Sequence, residues 1–158
     1  MITVLLVDDN GPIRKSLRSL LKGTDDMQVV ATAANGADAV EKARSYRPNV
    51  AVMDISMPIM DGIEATEHIR ECCRLTRVII LSAFDDSEYV RRALDVGAKG
   101  YVLKDSAGED LLDAIHAIQR GSHYFSEKIA EMAESYLTAK GNDRQASEEL
   151  KMENKRDS

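Results

Sequence analysis

A chain of 158 residues holds enough material for one domain with a sizeable core and falls short of two, so one domain plus an extension is expected. Hydrophobic residues make up 44% and charged residues 30%, an ordinary balance for a soluble globular protein, and no apolar run approaches the roughly 20 residues of a bilayer span. That excludes an integral helical membrane protein, and a net charge of -6 argues against a nucleic-acid surface spread over the whole chain, because a polyanion site needs clustered Lys and Arg.

In chain order, TVLLV (3–7) makes a first strand that ends on Asp8 and Asp9. Its apolar run is short, lacks a basic lead-in and ends on acids, which fits a first strand better than a signal peptide, and a cytoplasmic location is expected. Pro12 suits the first turn of a helix striped by Ile13, Leu17, Leu20 and Leu21, which stops near Gly23. MQVVATA (27–33) makes a second strand, and Ala39, Val40 and Ala43 stripe a second helix. NVAVM (49–53) makes a third strand, ending on Asp54, and Asp61 caps a helix marked by Ile63, Thr66, Ile69 and Cys73. Cys72 and Cys73 are neighbours on that helix. They are expected to point in different directions without bridging, as core or half-buried thiols in a reducing compartment. RVIIL (77–81) and KGYVL (99–103) complete five strands, separated by a helix with Val90, Ala93 and Leu94 and followed by one with Leu111, Ile115 and Ile118. Beyond Gly121, Ser126 opens a further helix with Ile129, Met132, Ala133, Tyr136 and Leu137 as its stripe. After Gly141 the sequence is strongly charged, and a disordered tail or a weakly held helix is expected there.

Strands that are apolar on both faces and alternate with amphipathic helices imply a doubly wound α/β fold: a parallel sheet with helices on both sides. Ligand sites in such sheets lie beyond the carboxyl ends of the strands. Here those ends carry Asp8 and Asp9, Asp54, Ser82 and Lys104. Carboxylates crowded into one crevice repel one another unless a cation sits among them. A hard divalent ion such as Mg²⁺ favours oxygen ligands, and a lysine ammonium partners a carboxylate or a phosphoryl group. The pattern points to metal-assisted chemistry at one acid.

LLVDD, VMDISMPIMDG, ILSA and GAKGYVLKD stand in the order and spacing of the receiver domains of bacterial two-component response regulators, and over roughly residues 1–123 the chain resembles that family. The resemblance implies a flavodoxin-like five-stranded sheet of order 2-1-3-4-5. It implies that Asp54 accepts a phosphoryl group from a sensor histidine kinase, that Asp8, Asp9, Asp54 and the backbone carbonyl of Ser56 hold Mg²⁺, and that Lys104 contacts the phosphoryl group. Ser82 is then the switch hydroxyl, and Tyr101 the switch aromatic that moves inward on phosphorylation. The protein is then a signalling switch that catalyses only its own phosphotransfer and dephosphorylation. Partners would sense the face formed by the helix near 86–96, the fifth strand and the last helix of the receiver.

Asp105 follows Lys104 where many receivers have proline, and with LLDAIHAIQRGSHYFSEKIAEMA after it the chain looks like the NarL/LuxR-type regulators. Those continue into a helix-turn-helix domain, of which no pattern is legible here. The expected organisation is a receiver over 1–123, a linker helix over 124–140 and a charged tail over 141–158, as a fragment of a longer transcriptional regulator; a homodimer is possible, and contact with DNA would need the missing domain. The alternative is a stand-alone or phosphorylation-independent receiver acting by protein contacts. A hydrolase with a nucleophilic aspartate would need an acid two residues after its nucleophile on the first strand, where this chain has Asn10 and Gly11. Blander roles also fit single residues: Asp8 and Asp9 as helix caps, Ser82 as a loop hydroxyl, Tyr101 as strand packing. His68, His116 and His123 lack metal-ligand spacing.

Overall fold

A computed structural model describes the backbone of residues 1–156 and the side chains of residues 1–142. The elements alternate as expected: β1 (Ile2–Val7), α1 (Gly11–Lys22), β2 (Met27–Ala33), α2 (Gly36–Tyr46), β3 (Val50–Met53), α3 (Gly62–Cys72), β4 (Arg77–Ser82), α4 (Ser87–Asp95), β5 (Gly100–Leu103) and α5 (Ala107–Gln119). β6 (Tyr124–Phe125) and α6 (Glu127–Arg156) follow. The sheet has the order β2-β1-β3-β4-β5-β6, every pair parallel. The expected 2-1-3-4-5 arrangement is therefore its core, with one more strand at the β5 edge. β6 was not legible in the sequence because two residues carry no periodicity; it pairs only because α5 returns the chain beside β5.

Alternate residues of each strand serve opposite faces, which produces two cores. Val4, Leu6, Val52, Ile79, Leu81 and Val102 pack with Leu17 and Leu21 of α1 and with Leu111, Ile115 and Ile118 of α5. Leu5, Val7, Ala51, Met53, Ile80 and Tyr101 face the other way, onto α2, α3, α4 and the first half of α6. Asn10, not Asp8 or Asp9, caps α1, its side chain accepting from Ile13 N at 3.0 Å. The bland role for the two acids is thereby removed. Asp61 does cap α3, accepting from Glu64 N at 2.8 Å.

Residues 124–140, set apart in the sequence as a linker helix, join the sheet through β6 and the core through Ile129 and Ala133, both fully buried. The Ser126 hydroxyl does not cap α6 but accepts from Leu103 N (2.9 Å) and donates to Asp110 (3.2 Å). Outside the core, Lys128 pairs with Asp85 at 2.8 Å, while Tyr136 and Lys140 both reach Asp95 on α4. The face that partners were expected to sense thus carries this chain's own helix. α6 also runs on through Gly141 to Arg156, where a disordered tail or weakly held helix was expected; residues 157–158 lie outside the described part.

The two cysteines correct a further expectation. Their sulfurs do not point apart but lie 3.1 Å from each other. The helix ends between them: Cys72 is its last residue, and Cys73, at φ -137° and ψ 69°, has left helical geometry, which swings its side chain back toward its neighbour.

Candidate functional site

The parallel register aligns the carboxyl ends of β1, β3, β4 and β5, and the side chains at those ends form one rim. Val7 pairs with Met53, so Asp8 and Asp54, the next residue on each strand, emerge side by side. Backbone bonds continue the alignment: Asp8 N donates to Ala33 O and Asp54 N to Val7 O. Asp8 is 1% and Asp54 5% exposed, whereas Asp9 is open to solvent. Oxygens of the three carboxylates lie within 4.8 Å of one another.

Lys104, directly after β5, spans the two buried acids, with Nζ 2.9 Å from Asp8 Oδ2 and 3.3 Å from Asp54 Oδ2. One ammonium serves two buried carboxylates. Burial, and then the charge of Asp8, raise the Asp54 pKa to about 6, against the smaller opposing effects of Lys104 and of the Ile55 N–H. Burial also pulls Lys104 down, but its contacts with Asp8 and Asp54 outweigh that and hold it above the ordinary lysine value. The Arg14 guanidinium donates to the Asp8 backbone carbonyl at 2.6 Å, so Lys104 is left to pair with both buried carboxylates, which remain short of positive charge.

That shortfall is the test of a metal site. Asp8 Oδ2 is buried, and what faces it is the Lys104 ammonium at 2.9 Å, which it shares with Asp54 Oδ2. Two buried carboxylates that divide one ammonium between them remain costly unless a further cation faces them. Asp8 Oδ1 is occupied by Asn10 N at 2.9 Å. Three carboxylates with one shared ammonium fit a hard divalent ion, which favours oxygen ligands and keeps waters. Among the described residues no histidine joins such a group.

The loop after β3 is held tightly around Asp54. Asp54 Oδ1 accepts from Ile55 N at 2.8 Å, and Gly62 N donates to Ile55 O at 2.8 Å. A Cβ on Gly62 would stand 1.8 Å from Asp54 O, and one on Gly36 would stand 2.4 Å from Met60 O. Only glycine lets α3 and α2 start this close to the loop. Ile59, at its tip, is 83% exposed with φ 73°, and Met60 N donates to Pro58 O across it. A β-branched residue in the left-handed region is strained by about 1–3 kcal/mol. A glycine that acts by what it leaves room for has no local signature in the sequence.

Ser82, at the end of β4, is fully buried; its Oγ accepts from Phe84 N at 3.0 Å. Tyr101 is also fully buried, and its hydroxyl donates to Phe84 O at 2.6 Å. Burial pushes that phenol up to about 12. The inward position expected of the ring after phosphorylation is the one it holds here. Ser56 is exposed two residues beyond Asp54. Asp8, Asp9, Asp54 and Lys104 are brought together, while Ser82 and Tyr101 meet at Phe84.

Residues 4–116 match the family model described as the response regulator receiver domain. The oxygen regulatory protein NreC of Staphylococcus aureus (strain JH9) is 40% identical over 127 residues, which are 80% of this chain and 58% of that protein. The chain therefore spans about three fifths of the length of the curated relatives it matches. Among solved structures, a two-component response regulator of the LuxR family from Aurantimonas sp. SI85-9A1 superposes with TM-score 0.81 at 34% identity, covering 87% of this chain and 99% of that one. The receiver domain of the putative response regulator NarL from Mycobacterium tuberculosis superposes with TM-score 0.73 at 33% identity, covering 76% of this chain and 97% of that one. With the acids, the lysine and the strand order already in place, the chain belongs to the response regulator receiver domain family, and within it to the NarL/LuxR type.

Proposed function

We propose that Asp54 accepts a phosphoryl group from a phosphohistidine of a sensor histidine kinase. The observation that carries this reading is the single Lys104 ammonium between Asp8 and Asp54, with Asp54 dehydrated and left short of positive charge. The Ile55 N–H holds Asp54 Oδ1 and fixes the plane of the carboxylate, so Oδ2, which faces Lys104, is assigned as the attacking atom. The Oδ2–P bond forms as the N–P bond of the phosphohistidine breaks, and the imidazole nitrogen keeps the electron pair. Lys104 moves with Oδ2 onto the phosphoryl oxygens, where charge spreads in a loose transition state. Mg²⁺ held by Asp8, Asp9, Asp54 and the Ser56 carbonyl would supply further charge neutralisation there. The same residues serve the return reaction, hydrolysis of the acyl phosphate.

The added charge is read through Ser82 and Tyr101. Turning the Ser82 hydroxyl toward the phosphoryl group removes the acceptor of Phe84 N–H and loosens the loop that Tyr101 holds at Phe84 O. That loop leads directly into α4 and, through Asp85, to Lys128 of α6. The apolar groove between α1 and α5, lined by Ile13, Leu20 and Ala107 and bordered by Lys104, suits a kinase helix approaching Asp54. The protein acts in the cytoplasm, and in a longer chain α6 would lead toward a helix-turn-helix domain for transcription control.

Incubating the chain with acetyl phosphate and Mg²⁺ should add one phosphate by intact mass, and Asp54→Asn should add none. A variant that is still modified would overturn the assignment of Asp54.

A further inference from the structure

At the end of α3 remote from the Asp54 rim, the sulfurs of Cys72 and Cys73 lie 3.1 Å apart, closer than the roughly 3.5–4.0 Å of ordinary nonbonded carbon contacts. Cys72 is half-buried and Cys73 is 2% exposed, so one thiol meets solvent and the second stands directly behind it. Three features hold the pair in place. Cys73 N closes the helix on Ile69 O at 2.8 Å, Thr76 N donates to Cys73 O at 3.0 Å, and the Thr76 hydroxyl bonds Pro48 O at 2.7 Å. These bonds fix the backbone that carries the two thiols.

The geometry discriminates among the fates of such a pair. A direct disulfide is disfavoured: neighbouring residues across a trans peptide have Cα atoms about 3.8 Å apart, below the roughly 4.4–6.8 Å that disulfides span. Tetrahedral zinc is disfavoured as well. Two Zn–S bonds of about 2.3 Å at a tetrahedral angle would place the sulfurs about 3.8 Å apart. A structural zinc also needs further ligands, and among the described residues no histidine or acid joins the cysteines in a metal-binding group. A pyramidal centre with bonds near that same length, about 2.3 Å, and an angle near 90° spans about 3.3 Å, close to the observed separation.

We propose that Cys72 and Cys73 form a vicinal dithiol site that chelates a single trivalent, thiophilic metalloid centre of the arsenical class through both sulfurs. With an organoarsenic oxide, two S–H and one As=O bonds break, two S–As bonds form, and the oxygen leaves with both thiol protons as one water. Arsenic stays trivalent, so no oxidant is required. The half-buried Cys72 sulfur reacts first, and Cys73 closes the ring. Burial and the contact with Cys72 push the Cys73 thiol up to about 11, which suits a second thiol that gives up its proton only as the centre binds. The site stands apart from the phosphoryl chemistry: the thiols lie at the far end of α3 from Gly62, which bounds the Asp54 loop.

The test is chelation by phenylarsine oxide, followed by intact mass and by competition with thiols. The wild-type chain should gain one phenylarsine oxide less one water, retain it in excess 2-mercaptoethanol and lose it to 1,2-ethanedithiol. Cys72→Ser and Cys73→Ser should each retain the probe on the order of 10²–10⁴-fold less tightly, as expected when a second tethered contact is lost. Wild-type protein that gains no adduct while folded, or releases it to the monothiol as readily as to the dithiol, overturns the proposal without reliance on either variant. Asp54→Asn should chelate like wild type, which separates failure of this site from failure of the phosphorylation reading.

Discussion

Asp54 carries a conflict at the scale of one residue: the fold buries a carboxylate beside another and offers the pair one ammonium. A carboxyl whose pKa rises from 3.8 to about 6 on folding binds more protons in the native than in the unfolded state between those values, so stability falls as pH rises through that window. Above it the penalty is fully present, on the order of 3 kcal/mol from a shift of about two units. Asp54→Asn should therefore stabilise the metal-free protein at pH 7.5 by about 1–2 kcal/mol, part of the relief being offset by the lost Lys104 contact. The gain should vanish near pH 4. Urea denaturation in a chelator at both pH values checks this, and an Asn variant less stable at pH 7.5 would contradict it. Gly62 makes a different kind of contribution. Because a Cβ there meets backbone rather than a flexible side chain, Gly62→Ala should cost about 3 kcal/mol and displace the Asp54 loop, seen as a lower denaturation midpoint and slower phosphorylation.

At the scale of the element, α6 is the part of the chain whose behaviour departs most from expectation. Its stripe of Ile129, Met132, Ala133, Tyr136 and Leu137 was legible as helical periodicity, but periodicity says only that a face is buried and not against what. The partner is α4, met through Val90, Ala93 and Leu94 inside, with Asp95 receiving Tyr136 and Lys140 outside. The Tyr136 hydroxyl holds the Asp95 carboxyl below its usual range, and Arg91 lies over the Tyr136 ring at 5.9 Å. Ile129→Ala should destabilise the chain by about 2–4 kcal/mol, close to the cost of emptying a core isoleucine site, and a urea midpoint unchanged from wild type would show that α6 is not part of the cooperative unit. The short β6 depends on the same docking, since Tyr124 N bonds Lys99 O and Ser126 N bonds Tyr101 O only while the chain runs beside β5.

For the whole molecule, three carboxylates gathered around one lysine should make stability depend on the ion supplied. Mg²⁺ should raise the melting temperature in a saturable way, with a gain near 2.7 kcal/mol at a hundredfold excess over its dissociation constant, and a chelator should reverse it. Asp8→Asn should weaken that response strongly, because Asp8 is the most deeply buried of the acids in the group and shares its one ammonium with Asp54. Calorimetry with and without the ion reads the effect. Equal responses in the two proteins would remove Asp8 from the ion site.

How much of this was legible in the sequence depends on the range of the interaction. Strand and helix identities came from hydrophobic period and caps, which act within a few residues, and the rim acids and Lys104 followed because parallel strands must end together. The capping role of Asn10 was hidden by acids on its N-terminal side that could have filled the same position. The approach of the two cysteine sulfurs turned on one pair of backbone angles at a helix end. The sequence by itself determined the doubly wound class and which residues stand at the strand ends, because alternation of apolar runs and amphipathic stripes leaves few ways to bury both. Only the tertiary structure decided that one lysine serves two buried carboxylates, that glycines admit α2 and α3 to the loop, and that α6 occupies the α4 face, since each rests on distances between segments far apart in the chain.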